Sequence, residues 1–226
     1  MKKMLAYWKA WELAWLLVFG LTALWITLVT GDNLFGFVVF LSGVLCVVLV
    51  AKGSILNYPA GVVNTLGYAW IALHNGLYGE AGLNLIFYFP MNFVGFFLWR
   101  RHTAGGIVKM RALRPGTALI FAIGCAVLVA ALGFGLSLIP SQNTPYIDAA
   151  TNVLSVAATL LMVRRYREQW ICYIALNVLT VTMWAVRMAN GSPDGLLMIV
   201  MWSAYLVNSV YGWLNWSKGA REAGRQ

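Results

Sequence analysis

The chain has 226 residues, of which 61% are hydrophobic and only 10% charged, and its formal net charge is +9. A soluble domain carries about a quarter of its residues as charges, so this composition excludes an ordinary soluble enzyme or binding domain and points to an integral membrane protein. A basic soluble chain would suit nucleic acid; here the cations sit in short loops between apolar runs, and no nucleic-acid partner is expected.

Roughly 20 apolar residues cross a bilayer, and eight such runs are predicted, at residues 11–29, 34–51, 55–74, 82–99, 117–139, 147–163, 169–189 and 195–216. The first follows Lys2, Lys3 and Lys9 as a signal peptide would. It is long, rich in Trp and has no small-residue cleavage pattern before Gly31-Asp32, so it reads as a retained span. The breaks carry turn chemistry: Thr30-Gly31-Asp32-Asn33, Asn75-Gly76, Arg114-Pro115-Gly116, Pro140-Ser141-Gln142-Asn143 and Asn190-Gly191-Ser192-Pro193.

Eight spans put Lys2, Lys3, Lys9, Lys52, Arg100, Arg101, Lys109, Arg111, Arg114, Arg164, Arg165, Arg167, Lys218, Arg221 and Arg225 on one side, fifteen of the sixteen basic residues, and only Arg187 on the other. By the positive-inside rule both termini are cytoplasmic. The outer side collects Asp32, Glu80, Asp148 and Asp194, read first as helix N-terminal acids favoured by the macrodipole and second as a field that concentrates a cationic solute. Cys46, Cys125 and Cys172 lie in apolar runs at wide spacing, which fits small core residues rather than a disulfide framework or a zinc site. No metal and no cofactor are expected.

The chain repeats itself. Tyr88, Asn92, Gly95 and Trp99 recur as Tyr205, Ser209, Gly212 and Trp216, 117 positions later, in the pattern Y-x-x-x-[N/S]-x-x-G-x-x-x-W that lines one helical face. Leu41-Ser42 matches Leu154-Ser155, and Asn64 matches Asn177, at 113 positions. Spans 2–4 therefore repeat as spans 6–8 in parallel, with span 5 between them. The expected fold is all-α with eight transmembrane helices, a parallel 3+1+3 repeat plus one extra N-terminal helix. The divisions are an extra span (1–33), a first repeat (34–99), a loop and linking helix (100–146), a second repeat (147–216) and a tail (217–226).

Polar side chains near the bilayer midplane are costly and face a bundle interior or a cavity. Those close to that level are Asn64 and Tyr68, Tyr88 and Asn92, Asn177, and Tyr205, Asn208 and Ser209, with Asn84 and Trp184 further toward the outer leaflet. Each Asn alone would serve equally as interhelical glue; the set as a whole reads as a solute site. Amides suit hydroxyls and carboxamides, and Trp and Tyr faces suit rings and cations, so the solute is polar and ring-bearing. Pro90 deprives the Ile86 carbonyl of its usual donor and predicts a kink. Gly95 and Gly212 read as close-packing positions, and Trp99 and Trp216 as interfacial anchors. No acid stands at mid-membrane to relay a proton or sodium ion, and every lysine is terminal or in a loop. No Ser/His/acid set, HExxH or Gly-rich phosphate loop is present, so no enzyme activity is expected.

This plan, with its repeated motif, resembles the PnuC family of bacterial vitamin transporters. The resemblance runs from about Leu34 to Trp216 and is clearest at Tyr211-Gly212-Trp213 with Trp216, at Asp148, at Arg164-Arg165-Tyr166-Arg167-Glu168-Gln169-Trp170 and at Asn177. The first repeat departs from it, with Val94-Gly95-Phe96-Phe97-Leu98-Trp99 where the family often shows Tyr-Gly-Trp, and span 1 is an addition. The resemblance implies a plan similar to the SWEET sugar transporters, a homotrimer and a place in the bacterial inner membrane. It also implies facilitated diffusion of nicotinamide riboside, trapped inside by phosphorylation. The expected site has Trp184 and Tyr88 or Tyr205 stacked on the nicotinamide ring and Asn64, Asn92, Asn177 and Asn208 on its amide or ribose, with access alternating as the two triplets rock. A thiamine carrier of the same fold is the alternative within transport. A membrane receptor or sensor is the alternative from another class, and the ten residues after Trp216 offer it little output domain.

Overall fold

The computed structural model describes residues 8–30, 34–74, 78–140, 144–189 and 195–224. The turns expected at 31–33, 75–76, 141–143 and 190–193, with Asp32 and Asp194, lie outside the described residues. Eight helices follow one another among the rest: α1 Ala10–Thr30, α2 Leu34–Lys52, α3 Asn57–His74, α4 Tyr78–Arg100, α5 Pro115–Ser137, α6 Pro145–Val163, α7 Gln169–Ala189 and α8 Gly195–Ala223. Five of them, α2, α4, α5, α6 and α7 as far as Val186, are long and apolar enough to cross a membrane. The last helix continues past Trp216 to Ala223, through what the sequence presents as a tail. Gly219 allows Met110 to pack against it, and Lys218 and Arg221 near its end suit the macrodipole.

The chain divides into two compact units, Met1–Ile107 carrying α1–α4 and Val108–Gln226 carrying α5–α8. In the first unit α1 packs on α2, α2 on α3 and α3 on α4; in the second α5 packs on α6, α6 on α7 and α7 on α8. A short hairpin, β1 Thr103–Ala104 and β2 Ile107–Val108, turns through Gly105 and Gly106 at φ of 60° and 83°.

The two units share their turn chemistry. After α2, the Gly53 and Ser54 N–H groups donate to the carbonyls of Val50 and Leu49 (2.9 Å each); after α6, Arg165 and Tyr166 donate to Met162 and Leu161 (2.8 and 2.9 Å). Both are Schellman caps, which need a left-handed residue. Gly53 takes φ 77° freely, whereas Arg165 takes φ 67° at a cost of roughly 1–2 kcal/mol for an L residue. The caps stand 112 positions apart, not the 113 read by matching asparagines. Because the cap sets the phase of the helix that follows, Asn177 corresponds to buried Thr65 rather than to Asn64, and the Leu41-Ser42 match with Leu154-Ser155 shifts by one as well.

The same register brings a ring against a glycine in each unit. A Cβ on Gly95 would overlap the Tyr58 ring, and one on Gly212 would overlap the Trp170 ring. Trp99 meets Tyr58 edge-on at 5.1 Å and Trp216 meets Trp170 at 6.4 Å. The two tryptophans are 0% exposed, which corrects their reading as interfacial anchors: each packs against the ring that lies on its unit's glycine. Gly95 and Gly212 act as expected.

Helix α1, for which the sequence offers no role, is pinned to α2. Glu12, 0% exposed, accepts from the Lys9 backbone N–H (2.9 Å) and from Lys52 Nζ (2.8 Å), while Lys52 lies 4.6 Å from the Trp8 ring centroid. The first contact caps the helix from its third residue; the second closes a buried ion pair. Removing one partner of such a pair costs about 3–5 kcal/mol, so Glu12→Gln is expected to loosen α1 and speed proteolysis near Lys9, as timed digestion would read. Gly212→Val is expected to lose about 1–3 kcal/mol by overpacking against Trp170, while Gly135→Val, with open space around it, leaves the melting temperature unchanged.

Candidate functional site

Pro90 shapes the first half of the candidate set. Its missing N–H and its ring break the regular ladder, and the chain answers with a π-helical stretch, Leu83–Tyr88, closed by the Phe89 N–H donating to the Asn84 carbonyl. The expected kink is therefore a widened turn. It carries Asn84 and Tyr88 and moves Asn84 off the strict four-residue stripe it was read to share with Tyr88 and Asn92.

Asn84 is buried and donates Nδ2–H to the Glu80 carbonyl (2.9 Å). Asn92, also buried, donates to the Tyr88 carbonyl (2.9 Å), and its amide oxygen lies where a Cβ on Gly61 of α3 would stand. Asn64 on α3 donates across to the Val39 carbonyl of α2 (2.9 Å). Tyr88 is half-buried and Tyr68 exposed.

In the second unit, buried Asn177 of α7 donates to Ser209 Oγ of α8 (3.0 Å), and Ser209 donates to the Tyr205 carbonyl (2.9 Å). That last bond repeats Asn92 on Tyr88 at 117 positions. Trp202 meets Tyr205 edge-on at 5.6 Å, Asn208 is buried, and Trp184 is half-buried two turns beyond Asn177. Each of Asn64, Asn84, Asn92 and Asn177 donates one amide N–H to a partner that fixes its plane. The structure thus joins Asn177 to Ser209 and Tyr205, and Asn92 to Tyr88 and α3. Asn64 it ties to α2.

The two acids expected on the outer side that lie within the described residues, Glu80 and Asp148, stand at helix starts. Glu80 lies in the first turn of α4, and Asp148 lies in that of α6 with Thr144 Oγ1 3.3 Å from its carboxylate. Cys46, Cys125 and Cys172 are free thiols. Among the described residues no group of His, Cys, Asp or Glu is placed to hold a metal.

Two buried amides escaped the sequence reading. Asn57 and Gln169, 1% and 0% exposed, open α3 and α7 at the 112-position register, each just before the ring that packs on glycine. Neither amide atom of Gln169 has a hydrogen-bond partner among the described residues, nor has Trp170 Nε1. The signal was present as an amide-ring dipeptide, Asn57-Tyr58 and Gln169-Trp170, at the head of the same helix in each repeat.

Two helical units with matched caps, matched ring-on-glycine packing and buried amides on apolar helices define a multi-pass membrane protein, and comparison with known proteins makes its class that of the transporters. A model of the family described as "Nicotinamide mononucleotide transporter" matches residues 33–218, and the chain belongs to that family. It is 38% identical to a protein of Neisseria mucosa named "Nicotinamide riboside transporter PnuC", over 93% of this chain and 82% of that one. It is 35% identical to the protein of the same name from Haemophilus influenzae, over 93% and 91%. A solved structure described as "Crystal structure of the Vitamin B3 transporter PnuC" aligns with a TM-score of 0.77 at 35% identity, over 95% of this chain and 94% of the other.

Interhelical hydrogen bonds in membranes average about 0.6 kcal/mol. A double-mutant cycle of Asn177→Leu and Ser209→Ala, read by unfolding in detergent, is expected to give a coupling of that order.

Proposed function

We propose that this chain imports nicotinamide riboside by facilitated diffusion across the bacterial inner membrane, with cytoplasmic phosphorylation trapping the product. Likeness to two proteins named as nicotinamide riboside transporters, across 93% of the chain at 35–38% identity, carries the reading. The topology proposed is eight spans with both termini cytoplasmic. Spans 2–4 and 6–8 are the repeats (34–99 and 147–216), and the assembly is a homotrimer. The caps at 112 positions and the ring-glycine pairs at 117 support the repeat.

The substrate is a pyridinium cation with a carboxamide and a ribose. Trp184 and Tyr88 or Tyr205 supply ring faces for the cation. Asn64, Asn84, Asn92, Asn177, Asn208, Ser209 and Tyr68 supply amide and hydroxyl groups for the carboxamide and the sugar. None of these is a cation, and a phosphate brought among them would lose its hydration without an ionic partner. The riboside is therefore favoured over the mononucleotide. Flux needs no coupling carboxylate because consumption inside drives it.

Titration calorimetry with nicotinamide riboside, its mononucleotide, thiamine, riboflavin and nicotinamide tests the assignment. Tight binding of the riboside alone is expected; tighter binding of thiamine or of the mononucleotide overturns it. Trp184→Ala is expected to weaken riboside binding roughly 30-fold, about 2 kcal/mol. A Trp184→Ala protein that inserts normally and binds at full affinity would falsify the stacking role.

A further inference from the structure

Helix α5 is the barest in the structure, with Gly133 its one buried residue, and it rests on α6 where Tyr146 fills the space beside that glycine. Beside this contact runs an apolar trough of about 550 Å³ walled by Phe121, Cys125 and Val129 of α5, Leu154 of α6, and Ile171 and Cys172 of α7. It extends from Leu113 and Glu168 at one end to Ala130 and Tyr146 at the other. From Ala118 to Ala130 the helix rises about 18 Å, close to the depth of one leaflet of a hydrocarbon core about 30 Å thick.

The mouth at Leu113 and Glu168 is crowded with cations. The segments 109–114 and 164–168 hold Lys109, Arg111, Arg114, Arg164, Arg165 and Arg167 against a single carboxylate, Glu168. That carboxylate is already engaged, by Arg167 Nε at 3.1 Å and by the Leu113 N–H at 3.0 Å. Backbone pairing fixes the crowding: Arg111 N–H donates to the Arg165 carbonyl (2.8 Å) and Arg167 N–H to the Arg111 carbonyl (2.9 Å). Arg165 is 9% exposed, and its guanidinium donates to the Lys109 carbonyl. Burial, then the nearby Arg111, push Arg165 down from its usual basicity. A positive loop of this kind sets topology wherever its charges point, but topology does not require the two basic segments to be paired through their backbones, nor an arginine in the left-handed position that glycine fills in the first unit.

The geometry points to a binding site for an anionic phospholipid, with one acyl chain in the α5–α6–α7 trough and its phosphate at the arginine mouth. The trough's apolar walls suit a hydrocarbon chain, while Lys109, Arg111 and Arg114, all exposed beside Leu113, offer charge to a phosphate at the mouth. The site lies within one unit and shares no residue with the candidate transport site.

The test uses the full chain, purified in detergent and stripped of lipid. It is titrated with phosphatidylglycerol, with phosphatidylcholine of the same acyl chains, and with glycerol 3-phosphate. Phosphatidylglycerol is expected to raise the melting temperature by roughly 5–10 °C at a hundredfold excess over its Kd, with native mass spectrometry counting one lipid per chain. The other two are expected to do much less. Arg111→Gln with Arg114→Gln should erase the preference for phosphatidylglycerol over phosphatidylcholine, and Ala126→Phe, which fills the trough, should remove the stabilisation while leaving riboside binding intact. In the unmodified chain, phosphatidylglycerol should also slow maleimide labelling of Cys125 several-fold, a readout that stands if Ala126→Phe fails to fold. The site is refuted by equal stabilisation from phosphatidylcholine, by full stabilisation from glycerol 3-phosphate, or by unchanged Cys125 labelling. It is refuted equally by cross-linking between Cys125 residues of two copies in the presence of phosphatidylglycerol, which would assign the trough to a second copy of the chain.

Discussion

Lipid tails are as apolar as leucine, so helices in a membrane are not driven together by hydrophobicity; close backbone contact and shape decide which pairs hold. In this chain that condition is met by an aromatic ring lying flush against a glycine, Tyr58 on Gly95 and Trp170 on Gly212, with Trp99 and Trp216 closing over each ring. The capped turns before α3 and α7 deliver the ring, and the phase of α4 and α8 delivers the glycine. Everything further along those helices, including the amides, takes its angular position from that contact.

On the proposed reading, packing and recognition use the same side chains. Asn92 bonds its own helix and leans on α3, Asn64 ties α3 to α2, and Asn177 ties α7 to α8 through Ser209. A solute that drew the Asn64 or Asn177 N–H from its partner would compete with a bond that spaces two helices. Binding and helix spacing would then be linked in free energy, which is what a carrier needs if occupancy is to bias one arrangement over another.

Much of the fold could be read before the structure. Six of the eight predicted spans have both limits within two residues of the observed helix, because apolar runs and turn residues set those limits directly. Two features resisted. The spacing read from matched asparagines, 113, differs from the 112 that separates the two caps, because identical asparagines attract an alignment while the hydrogen bonds at Gly53 and Arg165 are not announced by side-chain identity. Trp99 and Trp216 were placed at the lipid interface because tryptophan at a helix end usually belongs there; only the rings opposite, on the preceding helix of each unit, show that they are buried. The amides at the midplane were legible as a group, since polar residues in apolar helices stand out. Their individual bonds were not legible, because an asparagine reaches its own helix, a neighbouring helix or a solute with the same side chain. Asn57 and Gln169 went unseen for a related reason: at a helix start an amide looks like a cap, and only burial separates the two.

The π-helical stretch ahead of Pro90 gives α4 a property that α8 lacks. An α-helix turns about 100° with each residue, and a single π turn absorbs one residue without adding a full step of rotation. The two ends of α4 therefore keep their faces in phase although Leu83–Tyr88 holds one residue more than a regular ladder would. Shortening that stretch by one would let the ladder close as plain α-helix, with Glu80 and Asn92 keeping their faces and only the widened turn lost. Homologous chains that differ by one residue there would look alike in every profile of apolarity and would still differ in whether the carbonyls ahead of Pro90 are held in a widened turn.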